Sequence, residues 1–141
     1  MGEIPLIILN LQDEGYHLLV EIRMFNQSFK AVLDTGASKT VFDKACMETY
    51  VDPELIKRSE HLSTGLGTNT MESYTLVIPD LHIGPFHVQT YEVALLDLST
   101  INVAYQSMEQ DPVIGVIGGD LLKEYEAIID YKKALLYLKL P

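Results

Sequence analysis

The residues best suited to chemistry in this chain stand together at Leu33-Asp34-Thr35-Gly36-Ala37-Ser38. An apolar run delivers a carboxylate into a short glycine-containing turn, which would hold it rigidly where solvent or a substrate can reach it. A carboxylate so placed can act as a general base on water. At average composition an Asp-Thr-Gly triplet arises by chance in roughly 3% of chains of this length, so it is informative without being decisive. A plain Asx-type turn at a strand end would use the same residues. The triplet occurs once, and no Asp-Ser-Gly accompanies it.

Other chemistries find less support. His17, His61, His82 and His87 follow no His-Glu-x-x-His spacing and the single cysteine, Cys46, has no partner, so neither a metal nor another cofactor is expected. Gly115-Val116-Ile117-Gly118-Gly119 lacks the spacing and the following Lys-Ser or Lys-Thr of a phosphate loop. No nucleophile elbow is recognisable, and no carboxylate pair stands out for glycoside hydrolysis.

The elements that must position Asp34 read mainly as strands. Ile4 to Leu11 is apolar, Asp13-Glu14-Gly15 signals a turn, and Tyr16 to Met24 carries Leu18, Val20 and Ile22 on one face, which predicts a hairpin. A turn at Asn26-Gln27 precedes Phe29 to Leu33, where Phe29, Ala31 and Leu33 alternate with Lys30 and Val32. Asp43 is a candidate N-cap for a helical turn through Glu48. The Gly, Thr and Ser content of 62 to 71 suits an exposed hairpin tip. Strands are expected over Tyr74 to Ile78 and Phe86 to Leu96, with Gly84-Pro85 as the turn between them. Ser99 is expected to cap a helix through Gln106, Asp120 to Tyr125 to form another, and Ala127 to Leu140 to close as a hairpin at Lys132-Lys133.

Composition bounds the rest. With 141 residues, 48% of them apolar and 21% charged, residues 1 to 141 suffice for one domain with a sizeable core. Ten Lys plus Arg against twenty Asp plus Glu give a net charge of -10, which repels phosphate backbones and anionic lipid surfaces, so no nucleic acid and no membrane partner is expected. A single cysteine excludes an intrachain disulfide and fits a reducing, cytoplasmic setting; a leader removed before maturity would instead place the chain outside the cytoplasm. The longest apolar run, Ile4 to Leu9, contains Pro5 and is too short to span a bilayer.

Three short segments, in order and in register with the strand pattern, carry a resemblance. Asp34-Thr35-Gly36-Ala37 looks like the catalytic loop of the retropepsins, the single-lobed aspartic proteases of retroviral type. Gly65-Leu66-Gly67 resembles their flap tip, and Val116-Ile117-Gly118 the apolar-apolar-Gly element under the active site, with Asp120-Leu121-Leu122-Lys123 in place of the helix that follows it. The resemblance runs from Ile4 to Leu140. It implies a mainly β fold, a small closed β-barrel of the acid-protease type with one or two short helices, dimerising into a two-lobed enzyme.

It also implies roles. Peptide hydrolysis by this route needs two carboxylates about 3 Å apart that share a proton. One chain supplies a single Asp34, so the resemblance implies a homodimer acting on a peptide or protein. Thr35 would bond across the two-fold axis, and Gly36 would let the backbone approach the carboxylates. Ala37 and Ser38 would border the substrate backbone, and Gly65, Leu66 and Gly67 would close over it. Val32, Val41, Ile114 and Val116 would line apolar subsites, although plain core packing would use the same residue types.

The chain departs from the family pattern where Ser38 and Gly119 stand, because viral relatives carry an acid and an arginine there as an ion pair. Both partners are replaced, so neither charge is left unpaired. The segments 47 to 63 and 97 to 112 are longer than the pattern requires. Apolar alternation at Ile4, Leu6 and Ile8 and at Leu136, Leu138 and Leu140 suits termini interleaved between two copies, or termini that finish a monomeric barrel. A second reading of the same fold is a dimeric module that holds an extended peptide by β-augmentation without cutting it.

Overall fold

The computed structural model describes residues 2–11, 15–59 and 73–139. Eleven strands are defined there: β1 (Gly2–Pro5), β2 (Ile7–Asn10), β3 (Tyr16–Met24), β4 (Gln27–Leu33), β5 (Val41–Asp43), β6 (Lys57–Arg58), β7 (Tyr74–Ile83), β8 (Phe86–Leu96), β9 (Gly115–Ile117), β10 (Ile128–Asp130) and β11 (Leu135–Leu138). Three short helices accompany them, α1 (Lys44–Tyr50), α2 (Ser99–Ser107) and α3 (Gly119–Glu124), one more than the resemblance implies. No helix among the described residues is long and apolar enough to cross a membrane.

Six strands close a barrel in the order β3, β4, β9, β5, β8, β7, and the ring is completed by antiparallel pairing of β7 with β3 at Ile22↔Ile83 and Arg23↔His82. The expected closed β-barrel is therefore present. Its interior is filled by the inward-pointing residues of alternating strands: Val20, Ile22, Ala31, Phe42, Ile78, Leu81, Ile83, Leu95 and Ile117 are almost wholly buried. Leu121 of α3 and Met47 of α1 plug the same core. At about 25 cal/mol per Å² of apolar surface removed from water, a side chain of this kind contributes roughly 1.5–3 kcal/mol, which is why period-two alternation fixes the register.

Local chemistry explains most element boundaries. β3 turns into β4 through Phe25 and Asn26, both left-handed (φ 53 and 58), so the tight turn sits one residue earlier than the expected Asn26-Gln27 and Met24 pairs directly with Gln27. Asp43 caps α1 as expected, its carboxylate accepting from the Cys46 N–H at 3.2 Å, while its other oxygen accepts from the Leu98 N–H at 2.9 Å. Ser99 does not cap α2: Leu98 holds that position without a side-chain bond, and Ser99 is the first helical residue. Helix α2 is instead anchored by Asn102, whose amide both donates to the Val113 carbonyl and accepts from its N–H, and by Tyr105, which packs with Leu19 and Val113.

Two strand expectations are corrected. Ile4 to Leu11 is not one strand, because the chain switches sheets at Leu6, whose N–H bonds to Ala134. Residues 74 to 83 form one continuous strand that includes Leu81, His82 and Ile83. The chain ends meet each other within one chain: β11 lies between β1 and β10, with Ile4 opposite Leu136. Both edges of β11 are thereby satisfied internally, so it offers no free edge for interleaving with a second copy.

Candidate active site

Strand β4 ends at Leu33, and Asp34 stands just past its end, exposed. Its backbone is held by the neighbouring strand, the Asp34 N–H donating to the Ile117 carbonyl at 3.0 Å. Its side chain is held by its own loop: Oδ1 accepts from the Gly36 N–H at 2.9 Å, and the Ala37 N–H donates back to the Asp34 carbonyl at 3.2 Å. A Cβ at position 36 would stand 3.3 Å from that same Oδ1, so glycine gives the carboxylate its room. The Asx turn that the sequence suggested is real, and it orients a solvent-facing carboxylate.

A second loop braces the first. Gly119 donates to the Ala37 carbonyl at 2.7 Å and Asp120 to the Ser38 carbonyl at 3.2 Å. Asp120 Oδ1 accepts both the N–H and the hydroxyl of buried Thr40, and the hydroxyl of Tyr91 lies within electrostatic reach of the same carboxylate. Burial first, and then the carboxylates of Asp120 and Glu124, push the Tyr91 hydroxyl far above the usual tyrosine range, so it remains a donor. Where viral relatives join these loops through charges at the positions of Ser38 and Gly119, this chain joins them through backbone bonds and one buried network. Sequence reading missed Thr40, Tyr91 and Asp120; the only signal was Asp120 opening the helix after Val116-Ile117-Gly118.

The other sequence-derived positions fall in three groups. Thr35, Gly36 and Ser38 are exposed beside Asp34, and Ala37 is half-buried. Val32, Val116 and Val41 are direct neighbours across β4, β9 and β5, a valine row immediately behind Asp34; Val32 and Val41 are half-buried and Val116 is buried. Ile114 is buried in the main core. Gly65, Leu66 and Gly67 lie outside the described residues; the strands on either side, β6 and β7, pair at Lys57↔Thr75 and Arg58↔Tyr74, and Ser59 donates to the Ser73 carbonyl at 2.9 Å. A cavity of about 490 Å³ lies elsewhere, lined by Lys30, Cys46, Asn102, Asp111 and Ile114 among others, and does not include Asp34. Asp34 itself is exposed in the single chain.

Although no metal motif is visible along the chain, Asp80, His82 and His87 come together at the end of the β7–β8 hairpin.

Residues 20–121 match a family model described as aspartyl protease. Among curated proteins, Protein DDI1 homolog 2 of Mus musculus is 25% identical over 86% of this chain and 27% of its own length, and DNA damage-inducible protein 1 of Chaetomium globosum is 28% identical over 86% of this chain and 24% of its own. The chain thus spans about a quarter of the length of these relatives. Among solved structures, a retropepsin-like aspartic protease from Rickettsia conorii superposes with a TM-score of 0.60 at 22% identity, covering 97% of this chain and 89% of that one. The retroviral protease-like domain of Ddi1 from Leishmania major gives 0.61 at 18% identity, covering 86% and 87%.

Proposed function

The chain belongs to the aspartyl protease family and has the retropepsin-like fold, and from that premise we propose that it is an aspartic endopeptidase whose active unit is a homodimer with one Asp34 from each copy. The observation that carries the reading is the exposed, loop-anchored Asp34 of the one Asp-Thr-Gly triplet in the chain. A water-activating dyad needs two carboxylates, and half of such a site should face solvent until a second copy covers it.

In the dimer the two Asp34 carboxylates share one proton, since like charges about 3 Å apart cannot both ionise. The ionised member takes a proton from a water whose oxygen attacks the scissile carbonyl carbon. The protonated member hydrogen-bonds the carbonyl oxygen as negative charge develops there. Collapse of the tetrahedral species breaks the C–N bond, and the leaving amine takes up a proton from the dyad. Thr35 ties the two loops across the axis, and Ala37 and Ser38 border the substrate backbone. The valine row of Val32, Val116 and Val41 favours apolar side chains near the cut bond.

Digestion of a peptide library between about pH 4 and pH 7 tests the reading, with Asp34→Asn as control. Cleavage next to apolar residues, strongest at mildly acid pH and abolished in the variant, is the expected result. Cleavage that survives Asp34→Asn would remove Asp34 from the chemistry, and full activity in a strictly monomeric preparation would remove the shared site.

A further inference from the structure

The β7–β8 hairpin carries a cluster that proteolysis at Asp34 does not use. His82 and His87 are cross-strand partners beside the Gly84-Pro85 turn, and their rings stack with centroids 4.1 Å apart and planes within 2°. His87 Nε2 lies 2.6 Å from Asp80 Oδ1. One donor atom from each of the three side chains lies within 4.8 Å of the other two. The backbone explains the convergence. The β7–β8 ladder slips between Ile78 and Leu81 and again between Leu81 and His82, and Gln89 on the facing strand is left-handed at φ 70. Such bulges bend a strand and re-aim its side chains.

We propose that Asp80, His82 and His87 bind a divalent transition-metal ion, for which zinc is the probe. Two imidazoles and one carboxylate suit zinc, which prefers nitrogen and takes three protein ligands plus water, better than they suit the oxygen-seeking calcium or magnesium. In a tetrahedral site the ligand atoms stand roughly 3.3 Å apart, so the rings must turn out of their stack and converge. Asp80 and His87 are exposed and His82 half-buried, which leaves them free to do so. A space of about 320 Å³ adjoins the cluster, lined by Arg23, Met24, Phe25, Asn26, Asp80, His82 and Gly84, and gives the fourth position access to water. Arg23, opposite His82 on β3, is the cation that works against a dication here. It lowers the affinity without occupying the imidazole lone pairs.

The site is structural. β8 meets β5 at Val41↔Ala94, close to the loop of Asp34, and at about 3.3 Å rise per residue His87 lies roughly 20 Å farther along β8. Bound metal would staple the hairpin end rather than touch a substrate at Asp34.

Calorimetric titration of the metal-free full chain with zinc near pH 7.5, paired with the visible spectrum of added cobalt(II), tests this. One zinc per chain and tetrahedral cobalt absorption are expected, with affinity at least about tenfold weaker in His82→Ala and in His87→Ala and measurably weaker in Asp80→Asn. His17→Ala and Cys46→Ser should bind as the wild type does. Zinc should also raise the melting temperature of the wild type and leave that of His87→Ala unmoved, while the two melt alike without metal. Absence of saturable zinc uptake, unchanged affinity in both histidine variants, or loss of binding on changing His17 or Cys46 instead would each overturn the proposal.

Discussion

Asp120 Oδ1 accepts two hydrogen bonds from Thr40, one from the backbone N–H and one from the hydroxyl, each 2.9 Å long. The Thr40 hydroxyl in turn accepts from the Gly118 N–H at 3.1 Å. Thr40 is wholly buried, so its N–H and hydroxyl cannot turn to water instead. This small network fastens the loop that carries Asp34 to the turn beneath it within a single chain.

Asp120→Ala would leave the buried N–H and hydroxyl of Thr40 without an acceptor, at a cost of about 2–3 kcal/mol. Asp120→Asn keeps a carbonyl oxygen in the same place and should cost less than half as much. Urea midpoints of the two variants decide the matter. If the asparagine variant is as unstable as the alanine variant, the accepted bonds are not what Asp120 contributes.

Two glycines should respond differently to the same change. At Gly115 a Cβ would stand 2.0 Å from the Val41 carbonyl oxygen and 2.8 Å from Phe42 Cα, backbone atoms of the strand it pairs with. Gly115→Ala should therefore abolish the cooperative thermal transition. At Gly36 the added methyl meets only Asp34 Oδ1, at 3.3 Å. Gly36→Ala should melt close to the wild type while cleaving at least about tenfold more slowly, because the carboxylate is displaced from its productive geometry. An unfolded Gly36→Ala chain, or a well-folded Gly115→Ala chain, would contradict these contacts.

How much of this was legible follows the range of the interactions. Asp43 as a helix cap, the alternation of β3 and β4, and the placing of Asp34 at a strand end all depend on neighbours in sequence, and they read directly. The turn at Phe25-Asn26 was displaced by one residue because a left-handed phenylalanine is chosen by strand twist and not by its own preference. Thr40 and Asp120, or Asp80 with His82 and His87, are joined by topology and by bulges, which leave no periodic trace. In the terminal strands Ile4, Leu136 and Leu138 are buried while Ile8, beyond the break at Leu6, is exposed, and whether β1 meets β11 of its own chain or of another is decided by the path of the whole barrel.

The alkaline side of the stability curve should be the weak one. Burial pushes up the hydroxyls of Tyr91, Tyr105 and Tyr125 and the thiol of Cys46, with added help from Asp120 and Glu124 at Tyr91, Glu124 at Tyr125 and Asp43 at Cys46. Each is neutral when protonated, and folding resists its ionisation. Their contribution is therefore intact below the ordinary values of 9.0 for Cys46 and 10.0 for the tyrosines, and is lost as pH climbs from those values toward the raised ones. Melting temperatures recorded from about pH 7 to pH 11 should fall steeply above pH 10. Tyr91→Phe should flatten that fall, and an unchanged slope in the variant would exclude Tyr91 as a source.

The formal charge bears on activity if the working unit is a dimer of Asp34-bearing chains. Each copy carries -10 with an isoelectric point near 4.6, so two copies repel when they approach at neutral pH. Screening shortens that repulsion from a range of about 30 Å at 0.01 M salt to about 10 Å at 0.1 M. The dimer dissociation constant, measured by sedimentation, should therefore drop at least about tenfold over that change in salt, and drop again when the pH is lowered toward 5. Cleavage per chain at low protein concentration should rise along the same curve and then level off once all chains are paired. Cleavage per chain that is independent of protein concentration, at a salt where sedimentation finds only monomer, would mean that a single Asp34 suffices, and the shared active site would have to be abandoned.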